Sequence, residues 1–596
     1  MASHLKRWQV VPTAPPSHVA RLSHLHPLVT QVLYNRGITD PEDVSAFLGG
    51  EGDQTNPFAL EGMAAAVTRI RQALHAGERI VVYGDFDADG VTATALLVQT
   101  LRAFGGDVYP YIPHRVDEGY GLHKRVLAQL AKSGTSVVVT VDCGVRALDE
   151  VAHANRLGLD IIVTDHHSIG PRLPEALAVI DPKRTDNHHP FNELAGVGVA
   201  YKLAQALLRV ERSSPHHRQA PETARDVCLE EEDLLDLVAL GTVADLVPLL
   251  GENRTLVHRG LVCINRMERP GIEALCRQAG RQAGKVDTTT IGYALAPRLN
   301  AAGRMAHAKT AYQLLDTTYP VEAERLARKL DQLNRKRQQL TLETHEQARQ
   351  LALASGDDSP LLFAASPDFL AGVVGLAASR LVDEFYRPAV VVEMGRKVSR
   401  GSARSIPEFH ITDALDECAD LLVQHGGHAA AAGFTVSNDS LNELASRLRR
   451  LASERLSGVE LTPILSIDAE TELSQMSWEL QQELSGLEPC GYANPHPLFL
   501  SRNVRITGHR TVGSEGKHLK LTLSDGQATW DGIAFRQGDW ASRLPDRVDF
   551  VYHLEVNEWN NRRQLQLNVQ DIRPAGDDEI ARLWLDRAPD EGQSDA

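Results

Sequence analysis

Between residues 79 and 170 the chain repeats one design. RIVVYGDFDADG (79–90), SVVVTVDCG (136–144) and DIIVTDHHSIG (160–170) each run through β-branched and apolar residues and stop on aspartate, with helical sequence between them. Apolar residues at successive rather than alternate positions mark strands buried on both faces, which calls for a parallel sheet with helices above and below. No other feature narrows the fold so far. In such a sheet, ligands gather outside the carboxyl ends of the strands, where these aspartates stand.

Asp85, Asp87 and Asp89 follow the first run, Asp142 the second, and Asp165, His166 and His167 the third. Side chains two apart on extended chain point the same way, so Asp87 and Asp89 are expected to converge. Carboxylates packed that closely raise one another's pKa unless a cation neutralises them. An oxygen and imidazole donor set without thiolate suits Mn²⁺ or Mg²⁺ better than structural zinc. Two such ions roughly 3.5 to 4 Å apart activate water and stabilise the attacking and leaving oxygens of phosphoester cleavage. A single Asp after a strand is ordinarily a turn former or a helix cap. Three acid-bearing strand ends, one with paired histidines, outweigh that reading. Asp245, in DLLDLVALGTVADLVPLL (233–250), lies in a helix-and-turn segment where a cap is equally at home.

The remaining chain divides by pattern. Residues 1–75 read as an N-terminal cap of short helices, one starting at Asp40-Pro41, and 76–319 as the first α/β domain. Helix formers without Gly or Pro follow Pro320, so one connecting helix is expected over 320–355. A second α/β domain spans 356–457. Short alternating strands over 461–574 fit an OB-like β-barrel, and 575–596 is a polar tail.

A net charge of −16 argues against coating nucleic acid through bulk electrostatics, though not against a local basic track. Six scattered cysteines with no CxxC pair signal neither a disulfide framework nor a zinc knuckle. The N-terminus lacks the apolar core of a signal peptide, and no apolar run approaches the roughly 18 residues of a membrane span. A soluble, cytoplasmic protein is expected.

DFDADG with its small-residue helix, VDCG, TDHH and GTVADLVPL resemble the four motifs of the DHH phosphoesterase superfamily, Asp165-His166-His167 being its signature triplet. RLNAAGR (298–304), GSARSI (401–406) and GGHAAAAGF (426–434) resemble the RecJ single-stranded-DNA exonuclease branch and its DHH-associated second domain. LEPCGYANPHPLF (487–499) is similar to the RecJ segment that leads into an OB-fold domain. The resemblance covers nearly the whole chain. It departs at 368–372, where Asp-Phe-Leu-Ala-Gly stands in place of a Trp-His pair found in many relatives, and at Ala403, where they often carry a second glycine.

The resemblance implies two divalent ions, Mn²⁺ or Mg²⁺, held by Asp87, Asp89, Asp142, His166 and Asp245. Asp142 is favoured as the bridge. It implies a supporting role for Asp85 and places His167 at the scissile phosphate, so that Asp85, Asp142, His166 and His167 carry the chemistry. Ser402 and Arg404 beside a flexible glycine, with Arg298, Asn300, Arg304 and His428, are implied to hold a 5′-phosphate; tight backbone packing is the other reading of these glycines. In the barrel, Trp530, Phe535, Tyr552 and Trp559 are candidates for stacking bases, and Lys517, Lys520, Arg562 and Arg563 for tracking phosphates. Aromatic residues in a barrel equally fill its core. The implied function is 5′→3′ degradation of single-stranded DNA to mononucleotides in repair and recombination. A monomer, working beside a helicase and a single-strand-binding protein and associated with the nucleoid when acting, goes with it. A phosphodiesterase for short oligonucleotides or cyclic dinucleotides fits less well, since such relatives are generally shorter and lack the barrel. A silent replication scaffold predicts eroded ligands, and all four motifs are intact.

Overall fold

The computed structural model describes residues 6–50, 52, 55–213, 229–354, 359–559 and 562–576. The chain forms two compact units: Asp53–Thr462 with Gly491–Ala493, and Lys6–Gly52 with Pro463–Cys490 and the chain from Asn494 onward.

In the first unit, Val108–Tyr111, Arg79–Tyr83, Thr135–Val141, Asp160–Thr164 and Ala178–Ile180 lie side by side in that order, all parallel. Val82, Val139 and Ile162 are in register across the middle and fully buried. Successive residues of one strand serve opposite faces. Ile80 and Val82 join the core built on the Ala88–Ala103 helix, while Val81 and Tyr83 join a separate core with Leu127 and Val151. Each fully buried valine contributes roughly 1.5–3 kcal/mol, so a shift of register by one residue has no solvent face to move to.

The connecting helix is Pro320–Leu353, with proline at its first turn. Its Ala323, Leu326, Ala327 and Leu330 pack in the core of the parallel sheet. Ala348 and Ala352 pack with the second domain. The apolar stripe therefore changes owner along the helix, and that makes it a bridge. The second sheet has the order Leu422–His428, Ala431–Ser437, Val398–Arg404, Ala389–Glu393, Leu362–Ser366, with only the last two strands parallel.

The second unit is a closed barrel. Phe499–Val512 pairs with both His518–Ser524 and Arg547–Trp559. Thr529–Ala534 and Arg562–Pro574 complete the circle through a short parallel pairing, the pattern of an OB-fold. Residues 1–75 do not behave as one cap. The helices Pro27–Asn35 and Pro41–Gly49 bury Val29, Val32, Leu33 and Val44 in the barrel unit with Leu480 and Phe499. The helix Met63–Ala76 buries Met63, Val67 and Ile70 in the parallel-sheet core instead. The apolar faces, not the contiguity of the segment, decide where each helix goes. The polar tail lies outside the described residues from 577 on.

Candidate metal centre and nucleotide cleft

The acids at the strand ends converge. Ligand atoms of Asp85, Asp87 and Asp142 lie within 4.8 Å of one another, as do those of Asp89, His166 and Asp245, and those of Asp142, His166 and His167. His166 Nε2 is 3.1 Å from Asp142 Oδ1, 3.5 Å from Asp245 Oδ2 and 3.9 Å from Asp89 Oδ2. Asp142 and His166 thus join the clusters to one another. Backbone features hold them there. Asp142 has φ of 61°, a left-handed conformation uncommon outside glycine and typical of strained functional positions. Gly196 lets the helix Gly196–Ser213 start against it, because a Cβ there would lie 2.7 Å from the Asp142 Cβ. Asp89 accepts hydrogen bonds from the N–H groups of Gly196 and Val197, both at 2.8 Å.

Asp87 and Asp89 do not converge in the expected way. The chain leaves the extended conformation at Asp87, which caps the Ala88–Ala103 helix by accepting from Gly90 N at 3.1 Å, so Asp89 lies in a helical turn. Asp87 falls in the cluster with Asp85 and Asp142, and Asp89 in the one with His166 and Asp245. Asp85 stands among the ligand atoms, not behind them.

Like charges accumulate here. Burial, then the neighbouring aspartates, pushes Asp85, Asp142 and Asp245 well above the carboxylate range, and Asp89 up to about 7. Burial pushes the His166 imidazole down to about 3, so it is neutral and able to donate a lone pair. Asp85 Oδ1, Asp142 Oδ1 and His166 Nε2 are buried and make no hydrogen bond. A hard divalent cation satisfies these atoms and cancels the repulsion. The residues fit such an ion.

Asp165 is held as an anion in another way. Burial opposes its charge, but it accepts from His167 Nδ1 at 2.8 Å, and from the backbone N–H groups of Val145, His166 and His167, and its pKa is lowered. This bond fixes the His167 tautomer, leaving Nε2 as the free ring nitrogen. Burial opposes the imidazolium, yet Asp165 raises the His167 pKa overall. Tyr120 donates its hydroxyl to the Asp142 carbonyl at 3.1 Å and stands 3.1 Å from His167 Nδ1.

His167 opens on a cleft of about 1010 Å³ between the two α/β domains, lined also by Arg115, Tyr120, Ser402 and His428. At its edge, cations gather as the acids do. Burial, then the charges of Arg115, Arg337 and Arg404, lowers Arg304 to about 9. Burial and Arg115 lower Arg404, which donates to Ser402 Oγ at 3.1 Å and to its neighbour's carbonyl. Among the described residues, Arg115, Arg304 and Arg404 have no carboxylate partner. An unpaired guanidinium cluster of this kind fits an anion.

Other sequence candidates are occupied elsewhere. Arg298 donates to Asp331 and to the Ala294 carbonyl, fastening its helix to the connecting helix. Asn300 accepts from Ala88 N at 2.8 Å and so supports the metal loop from behind. Gly401 is not a flexible hinge. It lies in a strand, where a Cβ would meet the Phe434 ring at 2.0 Å, so tight packing explains it. In the barrel, Tyr552 is fully buried and makes no base platform. Trp530 donates its indole N–H to the Leu473 carbonyl at 3.0 Å and is partly packed on the core. Phe535 is 53% exposed, edge-on to His518. Lys517, Lys520 and Arg563 face Glu515, Asp531 and Glu558, while Arg562 is exposed. The Trp559 side chain lies outside the described residues. Sequence reasoning missed Arg115 and Tyr120. Their one signal is their place in the loop following the strand Val108–Tyr111, at the carboxyl end of the sheet.

Comparison with known proteins bears on this site. The DHH family N-terminal domain matches residues 79–242, the DHHA1 domain 358–454, and the RecJ OB domain 467–571. The chain is 38% identical over 553 residues to the single-stranded-DNA-specific exonuclease RecJ of Bacillus subtilis, covering 92% of this chain and 68% of that one. It is 37% identical to the protein of the same name from Dickeya dadantii, covering 94% of this chain and 98% of that one. The crystal structure of RecJ in complex with Mn²⁺ from Thermus thermophilus superposes with a TM-score of 0.81 at 29% identity, covering 96% of this chain and 80% of that one.

Proposed function

The chain belongs to the RecJ family of exonucleases, and on that premise we propose that it degrades single-stranded DNA from a 5′-phosphorylated end, releasing mononucleotides, with two divalent ions. The observation that carries the reading is the pairing of two unsatisfied charge clusters in one domain pair: acids joined through Asp142 and His166, and arginines around Arg304. Mn²⁺ or Mg²⁺ would be held by Asp85, Asp87, Asp89, Asp142, His166 and Asp245. When bound, the ions supply Lewis-acid activation of water and neutralise charge at the phosphate.

The chain's own side chains do the rest. Arg115, Arg304, Arg404 and Ser402 bind the terminal 5′-phosphate and so set how far the strand advances. Water attacks the phosphorus joining the first two nucleotides, and the bond to the 3′-oxygen of the first breaks. His167 in its imidazolium form, oriented by Asp165, gives its Nε2 proton to that oxygen, and the proton that the attacking water loses passes to solvent. The strand left behind carries a new 5′-phosphate, ready for the same pocket. Cooperation with a helicase and a single-strand-binding protein suits an enzyme that needs unpaired ends.

The test uses single strands labelled at either end, with Mn²⁺, carrying a 5′-phosphate or a 5′-hydroxyl. A 5′ label is expected to leave at once as mononucleotide and a 3′ label last, with slower release from the hydroxyl end. Early release of the 3′ label, or products longer than one nucleotide throughout, refutes the reading.

A further inference from the structure

Between the helix Trp478–Ser485 and the barrel strand Phe499–Val512, the chain gathers a group of metal-ligating atoms that has no member in common with the acid centre. One ligand atom each of Glu488, Cys490 and His496 lies within 4.8 Å of the other two. Cys490 is buried at the base, where its backbone N–H donates to Glu488 Oε2 at 3.1 Å and its thiol to the Leu487 carbonyl at 3.6 Å. Glu488 and His496 are exposed above it, with Oε1 3.5 Å from Nδ1. Oxygen and nitrogen ligands about 2.0–2.2 Å from one tetrahedral ion stand about 3.4 Å apart, so this pair is already spaced as a ligand pair. The loop is held from inside. Asn494, fully buried, donates to the carbonyls of Leu487 at 3.1 Å and Pro489 at 2.9 Å, and Asp468 Oδ2 accepts from Leu498 N at 3.0 Å. Ligands on a backbone fixed in this way lose little freedom on binding.

We propose that Glu488, Cys490 and His496 bind Zn²⁺ in a tetrahedral site whose fourth position is left to water. A thiolate beside an imidazole selects zinc, where the oxygen-rich acid centre suits Mn²⁺ or Mg²⁺, so the chain sorts two kinds of metal by the softness of their donors. The surrounding charges permit it. Burial lowers the Arg36 pKa while Cys490, Asp468 and Glu488 pull it up, which places a guanidinium near the cluster, bonded to Asn494 and to the Pro495 carbonyl at 2.6 Å. Carboxylate and thiolate together cancel the charge of the ion, so Arg36 faces a neutral site. His553, its ring 6.1 Å from that of His496, is held towards its neutral form by burial and adds no cation. Binding sends the thiol proton to solvent and gives up the weak bond to the Leu487 carbonyl. The ion would tie the loop that enters the barrel to itself. This site is independent of the exonuclease reading and stands or falls apart from it.

The test is titration of the full-length protein, stripped with chelator, with Co²⁺ as a spectroscopic stand-in for Zn²⁺. A thiolate-to-cobalt charge-transfer band is expected in the near ultraviolet, and Zn²⁺ should bleach it. Ions in the acid centre give no such band, since no thiolate is there, and Asp142→Ala should therefore leave it in place. Cys490→Ser should remove the band, and His496→Ala should weaken the titration about tenfold or more. The His496 side chain is exposed, so the metal-free melting temperature of that variant should match the wild type, which separates a lost ligand from a lost fold. Absence of the band in the wild type overturns the proposal. So does a band that survives Cys490→Ser, which assigns the sulfur to another cysteine, or one indifferent to His496→Ala, which reduces the site to a thiol alone.

Discussion

The acids at the end of the parallel sheet and the buried knot around Lys202 use the same kinds of group to opposite ends. Lys202, with no exposed side chain, donates to the Thr55 carbonyl at 2.8 Å and pairs with Glu252, which also meets His189 at 3.2 Å. Burial lowers the Lys202 pKa, Glu252 pulls the other way, and every charge has its opposite. Around Asp142 four aspartates besides face one another with a neutral histidine, and burial together with like charge raises the pKa values of Asp85, Asp89, Asp142 and Asp245. The knot is closed by the protein itself. The centre is left for something from solution to close, as is the arginine cluster around Arg304. Buried charge by itself therefore says little about function; the sign of its neighbours says more.

Removing one member from each region separates them most sharply. Asp142→Ala should lower nucleotide release about 10³-fold or more while the melting temperature of the metal-free protein stays level or rises, because a repulsion has gone. A large fall in metal-free melting temperature would make Asp142 a structural residue. Lys202→Met should do the reverse: a loss of roughly 3–5 kcal/mol in urea unfolding, since the buried Glu252 loses its lysine partner, with turnover per folded molecule intact. Unchanged stability there would break the contrast.

Arg304→Gln tests the cationic counterpart. The KM for 5′-phosphorylated strands should rise roughly 10- to 100-fold, as expected for a charged hydrogen bond to phosphate, while 5′-hydroxyl strands are scarcely affected. An equal rise for both ends would assign Arg304 to general strand binding. The smallest effect is in stability against pH. Asp89, and with it Asp85, Asp142 and Asp245, whose pKa values are likewise raised, hold protons when folded that they release when unfolded. The metal-free protein should therefore lose stability as pH rises from 6.5 to 8, by about 1 kcal/mol or more. The window starts at 6.5 because His166, with its lowered pKa, pulls the other way below it. Mn²⁺ should reverse the trend, its stabilisation growing with pH as the ligands deprotonate. Calorimetry across that range, with and without Mn²⁺, decides it. A metal-free protein that gains stability over the same interval contradicts the raised carboxylates.

Much of this was legible in the chain. The runs ending at Asp85, Asp142 and Asp165 follow from a two-sided strand whose end must be polar, and the connecting helix from its lack of interruption. Which aromatics are buried was not legible, because Tyr552 and Trp478 are both large rings and only packing tells which one faces inward. Arg298 and Arg304 stand in one motif, yet six residues along a helix turns them to different neighbours, Asp331 and the cationic cleft. Arg115 and Tyr120 carry no periodicity at all.

The sequence by itself determined the parallel sheet, its acid-bearing ends and the order of domains, since these depend on local runs and on the alternation of strand and helix. Only the tertiary structure decided which acids share a cluster, which arginines stay unpaired, and that the N-terminal helices divide between two cores. Those outcomes depend on what lies within a few ångströms across distant segments, where the cost of burying a charge is settled by its neighbours in space and not by its neighbours in the chain.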